Sequence, residues 1–127
     1  MKKLAALSAI LAVLTSSIAA GGDVLKPGDT ISGRVRYFQS QHPNGTWIKV
    51  YQLKSDKPLT FDTKDDFCSG DRSQKTFHLM VDDKTTEARL NRSLGKTIAI
   101  VADDFFCSET AWHIGDAVVG KWRFAAP

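Results

Sequence analysis

Thr30-Ile31-Ser32-Gly33-Arg34-Val35-Arg36-Tyr37-Phe38 alternates apolar and polar residues around a central glycine. Ile31, Val35 and Tyr37 fall on one face and Arg34 and Arg36 on the other, the period of a half-buried strand. A glycine in the middle of such a strand marks a bulge or a sharp bend, as small barrels use at their corners. This segment is therefore read as the first long strand of a small barrel.

Downstream, His42-Pro43-Asn44-Gly45 is a turn. It leads into Thr46-Trp47-Ile48-Lys49-Val50-Tyr51-Gln52-Leu53, rich in aromatic and β-branched residues, which predicts a second strand hairpinned to the first. Ser55-Asp56-Lys57-Pro58 is expected to break that strand, with Leu59-Thr60-Phe61 a short strand or strand end. Residues 62–73 are polar and acidic and read as a loop pinned at Cys68. Thr76 to Val81 is the next strand. From Thr85 to Leu94 the period changes: Leu90 and Leu94 stand four apart, Asp83 or Thr85 can cap the start and Gly95 the end, so a short helix is predicted. Lys96 to Ala102 alternates again, Asp103-Asp104 is expected to turn the chain, Phe105 to Cys107 continues or begins another piece, and Ala117 to Phe124 closes the domain. Upstream, Gly21-Gly22 is read as a flexible start and Lys26-Pro27-Gly28-Asp29 as a turn.

Three strands, a short helix and two more strands in one small domain predict a five-stranded OB-like barrel with the helix plugging one end. A small antiparallel sandwich is the alternative, since both consist of short alternating strands.

The N-terminus carries an address. Lys2 and Lys3 precede the apolar run Leu4 to Leu14, and Thr15 to Ala20 is rich in small residues. That order is a secretory signal peptide, and the run is shorter than the roughly 20 residues needed to span a bilayer. Residues 1–20 are expected to be removed, leaving one domain over 21–127 in the periplasm or outside the cell. Two of the 17 Lys and Arg lie in the leader and all 14 acidic residues follow it, so the mature chain carries about +1. That gives no broad field for nucleic acid, and no second apolar stretch supplies a membrane anchor.

In an oxidising compartment the pair Cys68 and Cys107 reads as a disulfide. Closing that loop contributes about 4 kcal/mol in the chain-entropy model. The redox spacing Cys-x-x-Cys is absent, and His42, His78 and His113 are too scattered to suggest a metal site. Asp62, Asp65, Asp66 and Asp71 share a loop without the EF-hand spacing. The pairs Asp65-Asp66, Asp82-Asp83 and Asp103-Asp104 read as strand and turn punctuation. No nucleophile motif occurs, so neither an enzyme nor a cofactor is expected. His78 is expected to face solvent opposite Phe77 and Leu79.

The rings are the more suggestive set. With Ile48 and Val50 inward, Trp47, Lys49 and Tyr51 form an outward row flanked by Arg34 and Arg36. That row is the predicted ligand-binding face for a protein or an oligosaccharide. The alternative is an inhibitor or immunity protein that presses residues 42–46, or the loop from Asp62 to Asp71, into a cell-wall-degrading enzyme.

Four further segments carry a resemblance: Gly33-Arg34-Val35, Leu53 to Lys57-Pro58, Leu94-Gly95-Lys96 running into Thr97 to Val101, and Thr110-Ala111-Trp112-His113 before the last strand. In these the chain resembles a family of small exported bacterial domains of unknown function with an OB-like fold. It departs from that pattern at Ala102-Asp103, where a glycine is expected, and in the single histidine at His113. The resemblance implies a fold and an address, and no activity.

Overall fold

The computed structural model describes residues 23–61 and 73–127. Its elements in chain order are β1 (Asp23–Leu25), β2 (Asp29–Gln41), β3 (Trp47–Phe61), β4 (Gln74–Leu79), α1 (Lys84–Arg92), β5 (Thr97–Cys107) and β6 (Ala117–Phe124). β2 alternates as its sequence demands: Ile31 and Val35 are buried, Arg34 and Arg36 exposed. It pairs antiparallel with β3 on one side and β5 on the other. β5 pairs antiparallel with β6, β6 parallel with β4, and β4 antiparallel with β3. The ring of five strands is thereby closed into the OB-like barrel, and the sandwich alternative falls.

Gly33 sits where β2 is squeezed. A Cβ built there would lie 2.3 Å from the Lys54 carbonyl oxygen and 2.8 Å from its carbon. Only a residue without a side chain lets β3 approach this closely, while the opposite edge of the same residue pairs with Ile98 of β5.

Inside lies one apolar core, centred on Ile31, Val35, Leu53, Phe77, Leu79 and Ile100. Phe61 tilts against Phe105 at 4.7 Å between ring centres and against Phe77 at 6.2 Å. α1 closes one end. Asp83 caps it, accepting from the Thr86 backbone N–H at 2.7 Å and the Thr86 hydroxyl at 2.8 Å. Leu90 is the helix residue driven fully into the core, a burial that contributes roughly 1.5–3 kcal/mol. Arg89, in the last turn, lays its guanidinium 3.9 Å from the Phe124 ring centre. Past the helix, the Gly95 N–H donates to the Val35 carbonyl and the Val35 N–H to that of Lys96, tying the connection back to β2.

Several boundaries differ from the sequence reading. Ser55 to Pro58 does not end β3, which runs on to Phe61. The pairing with β4 shifts between Lys54 and Leu59, and the Ser55 hydroxyl donates to the Lys57 carbonyl at 2.6 Å. Pro58 is tolerated at that irregularity because no ladder N–H is demanded of it. Asp103-Asp104 likewise bulges β5 rather than turning it. The short β1, between the expected flexible start and the Lys26–Asp29 turn, was not anticipated; it adds parallel to Leu59–Phe61, beyond the main β3–β4 register. Of the two leucines assigned to the helix, Leu94 lies past its end and is exposed. Cys107 is buried at the end of β5 and is not a free thiol. Cys68, the leader and the acidic loop from Asp62 to Asp71 lie outside the described residues.

Replacing Gly33 by Ala should lower the free energy of unfolding by about 1–3 kcal/mol or more, since backbone rather than a flexible side chain must yield. A shift of the urea midpoint to lower concentration, at unchanged slope, is the expected readout. An unchanged midpoint would mean that the two strands can separate freely at this corner.

Candidate functional site

Val50 and Gln52 of β3 and His78 of β4 point away from the core, yet they are 0, 4 and 4 % exposed. The connection between β5 and β6, residues 108–116, crosses this face of the barrel. The Ile114 N–H donates to His78 Nδ1 at 3.0 Å, and Gln52 Nε2 donates to the Ile114 carbonyl at 3.0 Å. Asp116 donates its N–H to the Thr76 carbonyl at 3.0 Å, and its carboxylate accepts from the backbone N–H groups of Lys75 and Thr76. Gly115 has a φ of +144°, and a Cβ there would meet Gln52 Nε2 and the Thr76 carbonyl at 3.1 Å. So His78, expected to face solvent, is sealed on one side by the chain's own loop.

At the margin of this covered region opens a cavity of about 360 Å³, within the range of small-ligand sites. β3 supplies Ile48, Lys49 and Tyr51, and β4 supplies His78 and Leu79. Met80 and Val81 follow β4, Glu87 comes from α1, and Trp112 and His113 come from the 108–116 connection. The walls are held firmly. Trp122 Nε1 donates to the Met80 carbonyl at 2.8 Å, and the Met80 N–H donates to Val119. The Tyr51 hydroxyl donates to Asn91 Oδ1 at 2.7 Å, with Glu87 Oε1 at 3.4 Å. Burial, and then the charge of Glu87, raises the Tyr51 phenol above its ordinary value.

Trp112 is braced from behind. The His42 ring stacks on it at 3.8 Å between centres and 21° between planes. His42 is fixed in turn, because its Nδ1 accepts the Asn44 N–H at 3.0 Å within the β2–β3 turn. The indole remains 42 % exposed.

All three histidines accept through the same ring nitrogen. His42, His78 and His113 each use Nδ1 as an acceptor for backbone N–H groups, those of Asn44, Ile114, and Glu109 with Thr110. A neutral imidazole that accepts at Nδ1 carries its proton on Nε2. In the cavity His78 and His113 are therefore donors, not lone pairs open to a metal. Among the described residues no group of three or more His, Cys, Asp or Glu side chains is placed to hold a metal ion.

The structure divides the predicted ligand row. Antiparallel partners share a face, and Tyr51 is opposite Tyr37, Lys49 opposite Gln39 and Trp47 opposite Gln41. Arg36 is opposite Gln52 and Arg34 opposite Lys54, on the other face. Lys49 and Tyr51 line the cavity; Tyr51 is buried, and Trp47, 62 % exposed, stands outside it on the hairpin. Arg34 and Arg36 do not reach it. Ile48 and Val50 thus face the way the arginines do, the reverse of the assumed inward pair. The sequence reading gave no role to His78, Met80 or Glu87. The available signal was Trp112-His113 next to Ile114-Gly115, an aromatic pair in a loop short enough to fold back. Of the aspartate pairs, Asp83 caps the helix and Asp103 bonds Arg123 at 2.8 Å, both structural tasks.

Compared with known proteins, the chain matches no family model, no curated protein and no solved structure. The resemblance to exported domains therefore extends to the barrel alone.

Burial, and then the charge of His113, lowers the His78 pKa below its ordinary 6.5. Protonation would also set a new Nδ1–H against the Ile114 N–H. Between the folded-state value and about 6.5 the unfolded chain binds more protons, so stability rises with pH there. The contribution is complete above about 6.5 and is lost as the pH falls through the folded-state value. Urea midpoints measured from about pH 7.5 to pH 5 should fall on acidification, and His78→Gln should flatten that fall. A profile identical in the two proteins would exclude His78 as its source.

Proposed function

We propose that this chain is an exported, non-enzymatic binding module that takes a protein or oligosaccharide ligand in the cavity beside Trp112. The single observation that carries the reading is the braced indole: one ring face is covered by His42, and the rest lines an apolar recess. An aromatic surface fixed before binding loses little conformational freedom when a ligand arrives. The position supports it further, since the recess lies on the second and third strands of the five-stranded ring and is flanked by the two loops that OB folds use for ligands. Lys2, Lys3 and the apolar run that follows support export to the periplasm or beyond. Two cysteines in that setting support a Cys68–Cys107 bridge.

A second reading has its own observation. The β2–β3 turn is rigid: the His42 N–H donates to the Thr46 carbonyl at 2.7 Å, and Asn44 Oδ1 accepts the Thr46 N–H at 2.9 Å. Trp47 stands exposed beside it. A stiff loop with an exposed tryptophan suits an inhibitor that presses into the cleft of a cell-wall-degrading enzyme.

Amide-resolved NMR titration with soluble glycans and peptides separates the two. Binding in the recess should shift Lys49, Leu79, Met80 and His113, and Trp112→Ala should weaken it at least tenfold without moving the thermal midpoint. Stoichiometric inhibition of a wall hydrolase, lost on Trp47→Ala and kept on Trp112→Ala, would instead establish the inhibitor. Shifts scattered over the surface with no saturation would remove the cavity as a site.

A further inference from the structure

We propose that the cavity selects a sugar bearing a carboxylate, such as a uronic acid residue, through the Nε2–H groups of His78 and His113. This deepens the binding reading and rests on it.

The argument is an inventory of hydrogen-bonding capacity. His78 and His113 have spent their Nδ1 lone pairs on backbone N–H groups. Nε2 of each has no partner among the described residues, and neither is sealed from solvent. Lys49 adds an ammonium without an ion pair among the described residues, and the Trp112 indole N–H is equally unengaged. The four residues that carry these N–H donors all line one recess. The complementary ligand group is an acceptor with several lone pairs, and a carboxylate offers about four.

Glu87 is the counterweight. It is the recess's own carboxylate, and its Oε1 already faces the Tyr51 hydroxyl. A ligand that is nothing but an anion would meet repulsion there. A sugar acid brings its carboxylate for the donors and hydroxyl donors for Glu87 on the same ring. The flat C–H face of a pyranose matches the indole that His42 braces. Apolar contacts from Ile48, Leu79 and Met80 complete a pocket sized for one or two rings rather than for a protein surface.

The arginines on the other strand face supply the control. Arg34 stands directly opposite Lys54 with no ion pair among the described residues, so a merely electrostatic ligand would collect there.

The test is calorimetric titration of the full mature protein with digalacturonate and with its carboxyl-reduced, neutral counterpart, followed by NMR mapping. The acid should bind at least tenfold more tightly than the neutral sugar, because hydrogen bonds to a charged group are the stronger class. His113→Ala and Lys49→Ala should each shrink that preference, whereas Arg36→Ala should leave it intact. Equal affinity for both sugars, with shifts in the recess, would overturn the carboxylate selection and leave the binding reading standing. Binding of neither sugar would overturn it outright. Acid-dependent shifts confined to Arg34, Arg36 and Lys54, removed by salt or by Arg36→Ala, would overturn it in favour of unspecific attraction.

Discussion

The Ile114 amide donating to His78 Nδ1, with Gln52 reaching back to the Ile114 carbonyl, holds the β5–β6 connection against the barrel wall. Without that clasp the wall would present Val50 and Val118, apolar side chains outside the main core, to water. With it, the connection becomes a third layer over β3 and β4 and carries Trp112 and His113 to the rim of the cavity. The same contact sets the imidazole's protonation, so loop position and donor pattern have one cause. Polar groups buried this way need their partners. The amide of Gln52 is satisfied at nitrogen, and among the described residues its oxygen has no partner.

Much of the barrel was legible because it follows from local patterns. Ala117–Phe124 is strand from end to end as read, and β2 and α1 lie within a few residues of their expected bounds. Gly33 marked a special place in β2, though what the structure has there is the close approach of the Lys54 carbonyl, with both ladders pairing through it and no bulge. Where reading failed, the breakers were accommodated by bulges: Pro58 and Asp103-Asp104 interrupt hydrogen-bonding ladders without ending strands. Propensity records that a residue disfavours regular pairing. It does not record that a closing sheet needs irregular places.

The site was less legible, for a different reason. Alternation tells which residues of β3 share a face, and Trp47, Lys49 and Tyr51 do. It does not tell which face is inside when both are covered. Tyr51 goes in because α1 offers Asn91 and Glu87 to its hydroxyl, and Val50 is buried on the other face, so no polarity contrast marks the direction. His78 was read as a surface residue for the same reason. Its cover comes from residues more than thirty positions later, a separation to which period and propensity are blind. The three tryptophans illustrate the point: Trp122 serves the fold through its indole N–H, Trp112 borders the recess, and Trp47 stands free on the hairpin.

The fold-back of residues 108–116 also reverses a common asymmetry between strands and their connectors. Surface loops ordinarily absorb inserted and deleted residues with little penalty. Here the spacing between Ser108 and Asp116 is fixed at both ends, since the Ser108 N–H donates to the Asp116 carbonyl and its hydroxyl to that of Gly115. One residue more or fewer would put Ile114 out of register with His78 and open the wall. Residues 108–116 are accordingly a connection held to its length, unlike the surface loops that ordinarily vary.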